Sequence, residues 1–250
     1  MIKIVLLHHS TGNIIWRGDR NKYVYKLTKQ GDIQKLFNHY NNKFNTDYEI
    51  TERAFPKLTP YGWHNYPYDY YNIWVKNAGD VPYMEEPTLE ILTKEYDVII
   101  FKHCYPVSNI QADQDSSNID SDYKSIANYK LQYAALRDKM HQFPKTKFIV
   151  WTGAAQVEKE IKEMEAKRAR EFFTWVTHEW DLPGDNIYIW DLYKIETNGG
   201  LYFPDEFARA ADDSHPTNKF GGQAAKLLFN RIIDVIENDG LKTSLTGEKI

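Results

Sequence analysis

The sequence predicts one three-layer α/β domain, a five-stranded parallel sheet doubly wound by helices in the manner of flavodoxin. Three observations predict it. Short runs rich in β-branched and aromatic residues alternate along the chain with stretches of helical period. Two of the runs, Val98-Ile99-Ile100-Phe101 and Phe148-Ile149-Val150-Trp151, are apolar without a break, as strands covered on both faces are. A chain of 250 residues with 42% hydrophobic content can bury one sizeable core without requiring two.

The elements follow in order. Residues 2–8 form the first strand, and a polar segment, His9-Ser10-Thr11-Gly12-Asn13, leaves it. Residues 48–55 form the second. An insertion of about residues 56–86 comes next, and half the positions in its 61–74 stretch are aromatic. The third strand spans 97–103. Ile126, Tyr129, Tyr133, Leu136 and Met140 then recur at spacings of three and four, which is a helix with one apolar face. The fourth strand is 147–152. Val157, Ile161 and Met164, then Ala169, Phe172 and Val176, continue as helix, and the mixed charges of 158–170 are its solvated face. The fifth strand is 186–192. Ala224, Leu228, Ile232 and Val235 mark the last helix. The domain therefore runs over 1–238; residues 239–250 are polar, lack periodicity and are expected to fray.

Composition excludes several classes. Lys and Arg number 31 against 35 Asp and Glu, a net charge of −4, which argues against a nucleic-acid groove because phosphate binding needs a basic stripe. No apolar run approaches the ~20 residues of a membrane span, so no membrane partner is expected. A single cysteine, Cys104, rules out an internal disulfide framework and multi-cysteine metal clusters. It reads as a buried strand-end residue rather than a nucleophile. The apolar start, residues 2–7, is too short for a secretion signal; the expectation is a cytoplasmic protein, a trimmed leader being the alternative. Nothing in the chain indicates an oligomeric state.

Chemistry is expected where strand order reverses, beyond the carboxyl ends of the first and third strands. There stand His8, His9 and Ser10 on one side, and His103, Cys104, Tyr105, Ser108 and Asn109 on the other. His8 and His9 alternate along a strand, so one of them is expected to face the site. A third polar segment, Asp212-Asp213-Ser214-His215-Pro216, precedes the last helix. Serine is a poor nucleophile without a base, and His215 can supply one if its turn folds over Ser10. A carboxylate can orient that imidazole. Asp213 competes for this role, but the three-residue spacing favours Asp212.

This arrangement resembles the SGNH, or GDSL-like, hydrolases: Ser10 after the first strand, Asn109 after the third, and Asp212-x-x-His215 before the last helix. The likeness spans residues 2 to about 236. It implies ester hydrolysis through an acyl-serine intermediate and needs no cofactor. Ser10 would be the nucleophile, His215 the base and Asp212 the orienting acid. The Ser10 N–H, the Asn109 amide and Gly62, the glycine nearest the second strand, would bind the oxyanion. The family's Gly-Asp-Ser is His8-His9-Ser10 here, and its Gly-x-Asn-Asp block is replaced by Cys104-Tyr105-Pro106 and Ser108-Asn109.

His9 and Tyr105 at strand ends, with Trp63 and Tyr66 on the aromatic insertion, are the candidate substrate contacts. Flat rings with polar edges suit sugars, so a small-molecule or carbohydrate ester is the expected substrate. The same insertion would alternatively pack a small core of its own. Other readings compete. Ser10 would merely cap a helix, and His215 and Asn109 would serve turns. Ser10-Thr11-Gly12-Asn13 would cradle the phosphate of FMN in a flavodoxin-like protein. His8 or His9 with Asp212, Asp213 and His215 would hold Zn²⁺ or Mn²⁺ in a phosphoesterase. A non-catalytic relative that binds a sugar is the last alternative.

Overall fold

Apolar β-branched runs pair side by side where helices cover both faces, and the sheet order follows from those runs. In the computed structural model, which describes residues 1–20, 22–28 and 30–250, the strands are β1 (Ile2–His8), β2 (Tyr48–Ala54), β3 (Val98–Phe101), β4 (Lys147–Trp151) and β5 (Ile187–Trp190). They lie in the order β2-β1-β3-β4-β5, all parallel. Leu7 pairs with Phe101, Phe101 with Val150, and Val150 with Ile189, so one apolar row crosses the sheet near its carboxyl end. Ile4 to Leu7 are wholly buried. β2 is an edge strand, and only Ile50 of its residues is fully covered, which explains its polar character. The fold is the doubly wound three-layer sandwich expected, with strand ends within two residues.

The helices are α1 (Thr11–Arg17), α2 (Lys22–Thr28), α3 (Asp32–Phe44), α4 (Pro67–Tyr71), α5 (Leu89–Glu95), α6 (Ile126–Met140), α7 (Glu163–Trp175), α8 (Leu192–Thr197) and α9 (Asn218–Asn238). α1, α3 and α9 pack together, with Phe37 and Phe229 meeting edge to face at 5.1 Å. α6 and α7 meet through Tyr133 and Phe172, whose rings are 5.1 Å apart. Among the described residues no helix is long and apolar enough to cross a membrane.

Three details depart from expectation. Residues 157–161 are not helical: a single 3₁₀ turn covers Glu158–Glu160, and α7 begins at Glu163. Tertiary bonds compete there, since the Ser214 N–H and hydroxyl both donate to the Glu160 carboxylate and the Val157 N–H donates to the Ser214 oxygen. The tail does not fray. The Asp234 carboxylate accepts the backbone N–H groups of Lys242 and Thr243, and the Trp190 indole N–H donates to the Thr246 carbonyl. A buried carboxylate needs donors, and the tail supplies them. The third departure is a small antiparallel hairpin, β6 (Ala208–Ala210) with β7 (Asp213–Pro216). It is polar and lacks the alternation that announces a strand.

The aromatic insertion largely packs inward. Tyr70 and Trp74 are wholly buried, Trp74 stacks on Phe55 at 5.2 Å, and Tyr70 stacks on Phe101 of β3 at 5.1 Å. The Tyr70 hydroxyl donates to the Lys102 carbonyl just past β3. These rings are core.

Candidate functional site

Ser10 occupies the turn between β1 and α1, with φ 47° and ψ −104°, a conformation that side chains avoid. The turn is held by backbone bonds: the Gly12 N–H donates to the His9 carbonyl at 2.8 Å, and the Asn13 N–H to the Ser10 carbonyl at 3.0 Å. Gly12 is required for a steric reason. A Cβ there would lie 2.4 Å from the Cβ of His8. The Ser10 hydroxyl makes no capping bond to α1; it is hydrogen-bonded to His215 Nε2 instead.

β7 presents His215. Its neighbour Ser214 is buried and anchored to Glu160, so alternation turns the imidazole the other way. Oδ1 of Asp213 accepts both the backbone N–H of His215 at 3.0 Å and ring Nδ1 at 2.5 Å. An ionised carboxylate only accepts, so Nδ1 carries the proton and Nε2 is left to accept from the Ser10 hydroxyl. The His215 backbone N–H, with the imidazole beside it, holds the Asp213 carboxyl below the usual carboxylate range. The Tyr105 ring stands edge-on to the imidazole at 5.2 Å.

The acid expected from spacing is thereby corrected. Asp212 is exposed at the hairpin turn, and Asp213 is the carboxylate that contacts His215. Three-residue spacing brings side chains together in a helical turn, but in an extended strand residues two apart share a face. The segment is strand.

A cavity of about 620 Å³ opens over Ser10 and His215. Both His8 and His9 line it, contrary to the expected alternation, because β1 ends at His8 and His9 already belongs to the turn. His8 Nε2 donates to the Glu52 carboxylate at 2.8 Å, and the Tyr25 hydroxyl donates to its other oxygen at 3.1 Å. His9 Nε2 donates to the Pro56 carbonyl at 2.5 Å. Burial lowers the pKa of both imidazoles. Beneath the turn, the ammonium of Lys102, 1% exposed, donates to the His9 carbonyl at 3.2 Å. Burial lowers the pKa of that lysine.

Other expected residues lie elsewhere. The Asn109 amide donates to Glu165 at 3.2 Å, and its oxygen accepts from Gln156 at 3.0 Å, so its polar atoms are committed away from Ser10. Gly62 sits on an exposed turn with φ +73°, its N–H bonded to the Leu58 carbonyl, and does not line the cavity. Trp63 packs on Tyr83, and Tyr66 stacks on His64 beneath the Lys124 ammonium; neither lines the cavity. Asn109, Trp63 and Tyr66 are drawn into contacts of their own, and Gly62 is left on the surface.

Asn13, from the polar segment after the first strand, lines the cavity, and three charged lining residues escaped sequence reasoning: Arg17, Glu52 and Arg209. Arg17 had a signal, since it follows Ser10 by seven residues and Asn13 by four, on one face of α1. Glu52 and Arg209 had none, because their approach depends on strand pairing far along the chain. Among the described residues no group of three or more His, Cys, Asp or Glu side chains is placed to hold a metal ion. Chemically, the arrangement offers a hydroxyl, a base and an orienting acid in a cavity open to solvent. No family model, no curated protein and no solved structure matches the chain.

Proposed function

We propose that the protein is a serine ester hydrolase of the SGNH type. One observation carries the reading: Ser10, His215 and Asp213 form a continuous hydrogen-bonded relay at the mouth of a cavity. His215 Nε2 takes the Ser10 proton as Oγ attacks the ester carbonyl, and Asp213 stabilises the imidazolium that forms. The alcohol leaves with that proton, giving an acyl-serine. Water, deprotonated by the same imidazole, then releases the acid. The backbone N–H of Ser10 supports the oxyanion. The strained turn at Ser10 favours this role over helix capping, because strain in an otherwise ordinary turn persists where it aims a reactive group.

The test pairs a neutral chromogenic acetyl ester with a fluorophosphonate probe. Wild type is expected to hydrolyse the ester and to gain one phosphonyl adduct on Ser10, read by mass spectrometry. Ser10→Ala is expected to lose both while melting as wild type does. An adduct elsewhere, or turnover undiminished in Ser10→Ala, overturns the reading.

A further inference from the structure

The cavity wall carries both signs of charge, the Glu52 carboxylate and two guanidiniums. Arg17, on the last turn of α1, and Arg209, in the middle of β6, both line it. Among the described residues neither guanidinium lies within ion-pair distance of a carboxylate. Arg17 spends one nitrogen on a neutral acceptor, the Asn218 side-chain oxygen at 2.8 Å, and its Nε is buried with no acceptor among the described residues. Arg209 is exposed on the hairpin that carries His215. The carboxylates nearby are already engaged. Glu52 accepts from His8 and Tyr25, and Asp213 accepts from His215. The chain as a whole carries −4, so two guanidiniums without a direct ion pair beside Ser10 are not a consequence of composition; Arg209 feels the Asp213 charge without pairing with it.

A guanidinium presents parallel N–H donors that match the paired oxygens of a carboxylate or phosphate, and charge-assisted bonds of this kind are the stronger ones. A buried N–H without an acceptor is costly until something supplies one. We infer that the ester substrate carries an anionic oxygen group, a carboxylate or a phosphate, which Arg17 and Arg209 bind while Ser10 attacks the ester carbon. The inference rests on the hydrolase reading and names the substrate class of that same site.

Two matched pairs of esters separate the sources of the anion. Mono-4-nitrophenyl succinate against 4-nitrophenyl acetate tests a carboxylate on the acyl side. 2-Acetoxyethyl phosphate against 2-acetoxyethanol tests a phosphate on the alcohol side. One anionic member is expected to exceed its neutral counterpart in kcat/KM by about tenfold or more at low salt. That ratio should shrink towards one in Arg209→Gln and in Arg17→Gln, and also in wild type as salt screens the exposed guanidinium. Arg209 is exposed, so its variant folds even where Arg17→Gln loosens the contact with α9. Neutral esters that match or exceed both anionic ones, or a preference that survives both substitutions, overturn the inference. Calorimetric titration with inorganic phosphate provides a readout independent of turnover. Phosphate bound by wild type and lost in the double variant, without hydrolysis of any ester, keeps the anion site and removes the hydrolase. No phosphate binding together with no ester preference removes the anion site.

Discussion

Asp213 and His215 stand two residues apart on one face of β7, and one carboxylate oxygen holds both the backbone N–H and the ring Nδ1 of the histidine. The double contact fixes the ring's position and its tautomer together. Residues two apart in an extended strand cannot drift out of register without breaking the hairpin, so the imidazole is aimed at Ser10 by backbone geometry as well as by charge.

Asp213→Asn is therefore expected to lower kcat by about 10²- to 10⁴-fold, because an amide donor facing Nδ1 favours the wrong tautomer. Asp212→Asn, at an exposed position, should stay within about twofold of wild type. Rates for the two variants on one ester at one pH provide the comparison. Equal losses, or a greater loss in Asp212→Asn, would remove Asp213 from the relay.

At Ser10 the demands of activity and stability oppose each other. With φ at 47°, glycine is free of the Cβ strain that serine and alanine carry. Ser10→Gly and Ser10→Ala should both abolish turnover, yet the glycine variant should be the more stable by about 1 kcal/mol. Urea denaturation of the pair measures this. An alanine variant at least as stable as the glycine variant would mean that the turn is unstrained.

Gly12 has the opposite constraint. An added Cβ would meet His8 Cβ at 2.4 Å, and neither atom is at the end of a flexible chain. Gly12→Ala should cost about 1–3 kcal/mol of stability and displace the Ser10 turn, with a fall in turnover beyond what the folded fraction explains. A thermal melt unchanged from wild type would show that the turn can relax.

Glu196 lies wholly buried on α8, where its carboxylate accepts the Ala155 N–H at 2.6 Å, and burial pushes its pKa up to about 8 from an ordinary 4.5. A raised pKa means that the folded state keeps a proton the unfolded chain has already released. Stability from this group is thus present at low pH and is lost as pH rises from about 4.5 to about 8, with a slope of up to about 1.4 kcal/mol per pH unit. Glu196→Gln cannot ionise. The stability difference between variant and wild type, measured by denaturation at pH 5, 6.5 and 8, should move in the variant's favour as pH rises. A difference that stays flat would mean that Glu196 titrates normally in the fold.

The sheet was legible because its physics is local. Apolar β-branched runs such as Val98-Ile99-Ile100-Phe101 have few other destinations in a chain of this size, and alternation with helical periods leaves a parallel sheet as their arrangement. The position of Ser10 was legible for the same reason, since a polar turn after the first strand of such a sheet falls at the switch point. What the chain's own order could not convey was pairing across long separations. Ser10 and His215 are 205 residues apart, and Arg209 reaches the cavity only because a polar hairpin with no strand-like pattern folds against α1. The choice between Asp212 and Asp213 depended on whether their segment was turn or strand. That was decided by the pairing of β7 with β6 and by the anchoring of Ser214 to Glu160. Asn109 and the aromatic insertion had suitable chemistry, but Glu165, Gln156 and the β3 face claimed them first. By itself the sequence determined the layers, the strand order and the place of Ser10, because burial and backbone periodicity act over a few residues. The tertiary structure alone decided which carboxylate, which cations and which loops meet at that place, because those contacts depend on where distant backbone ends up.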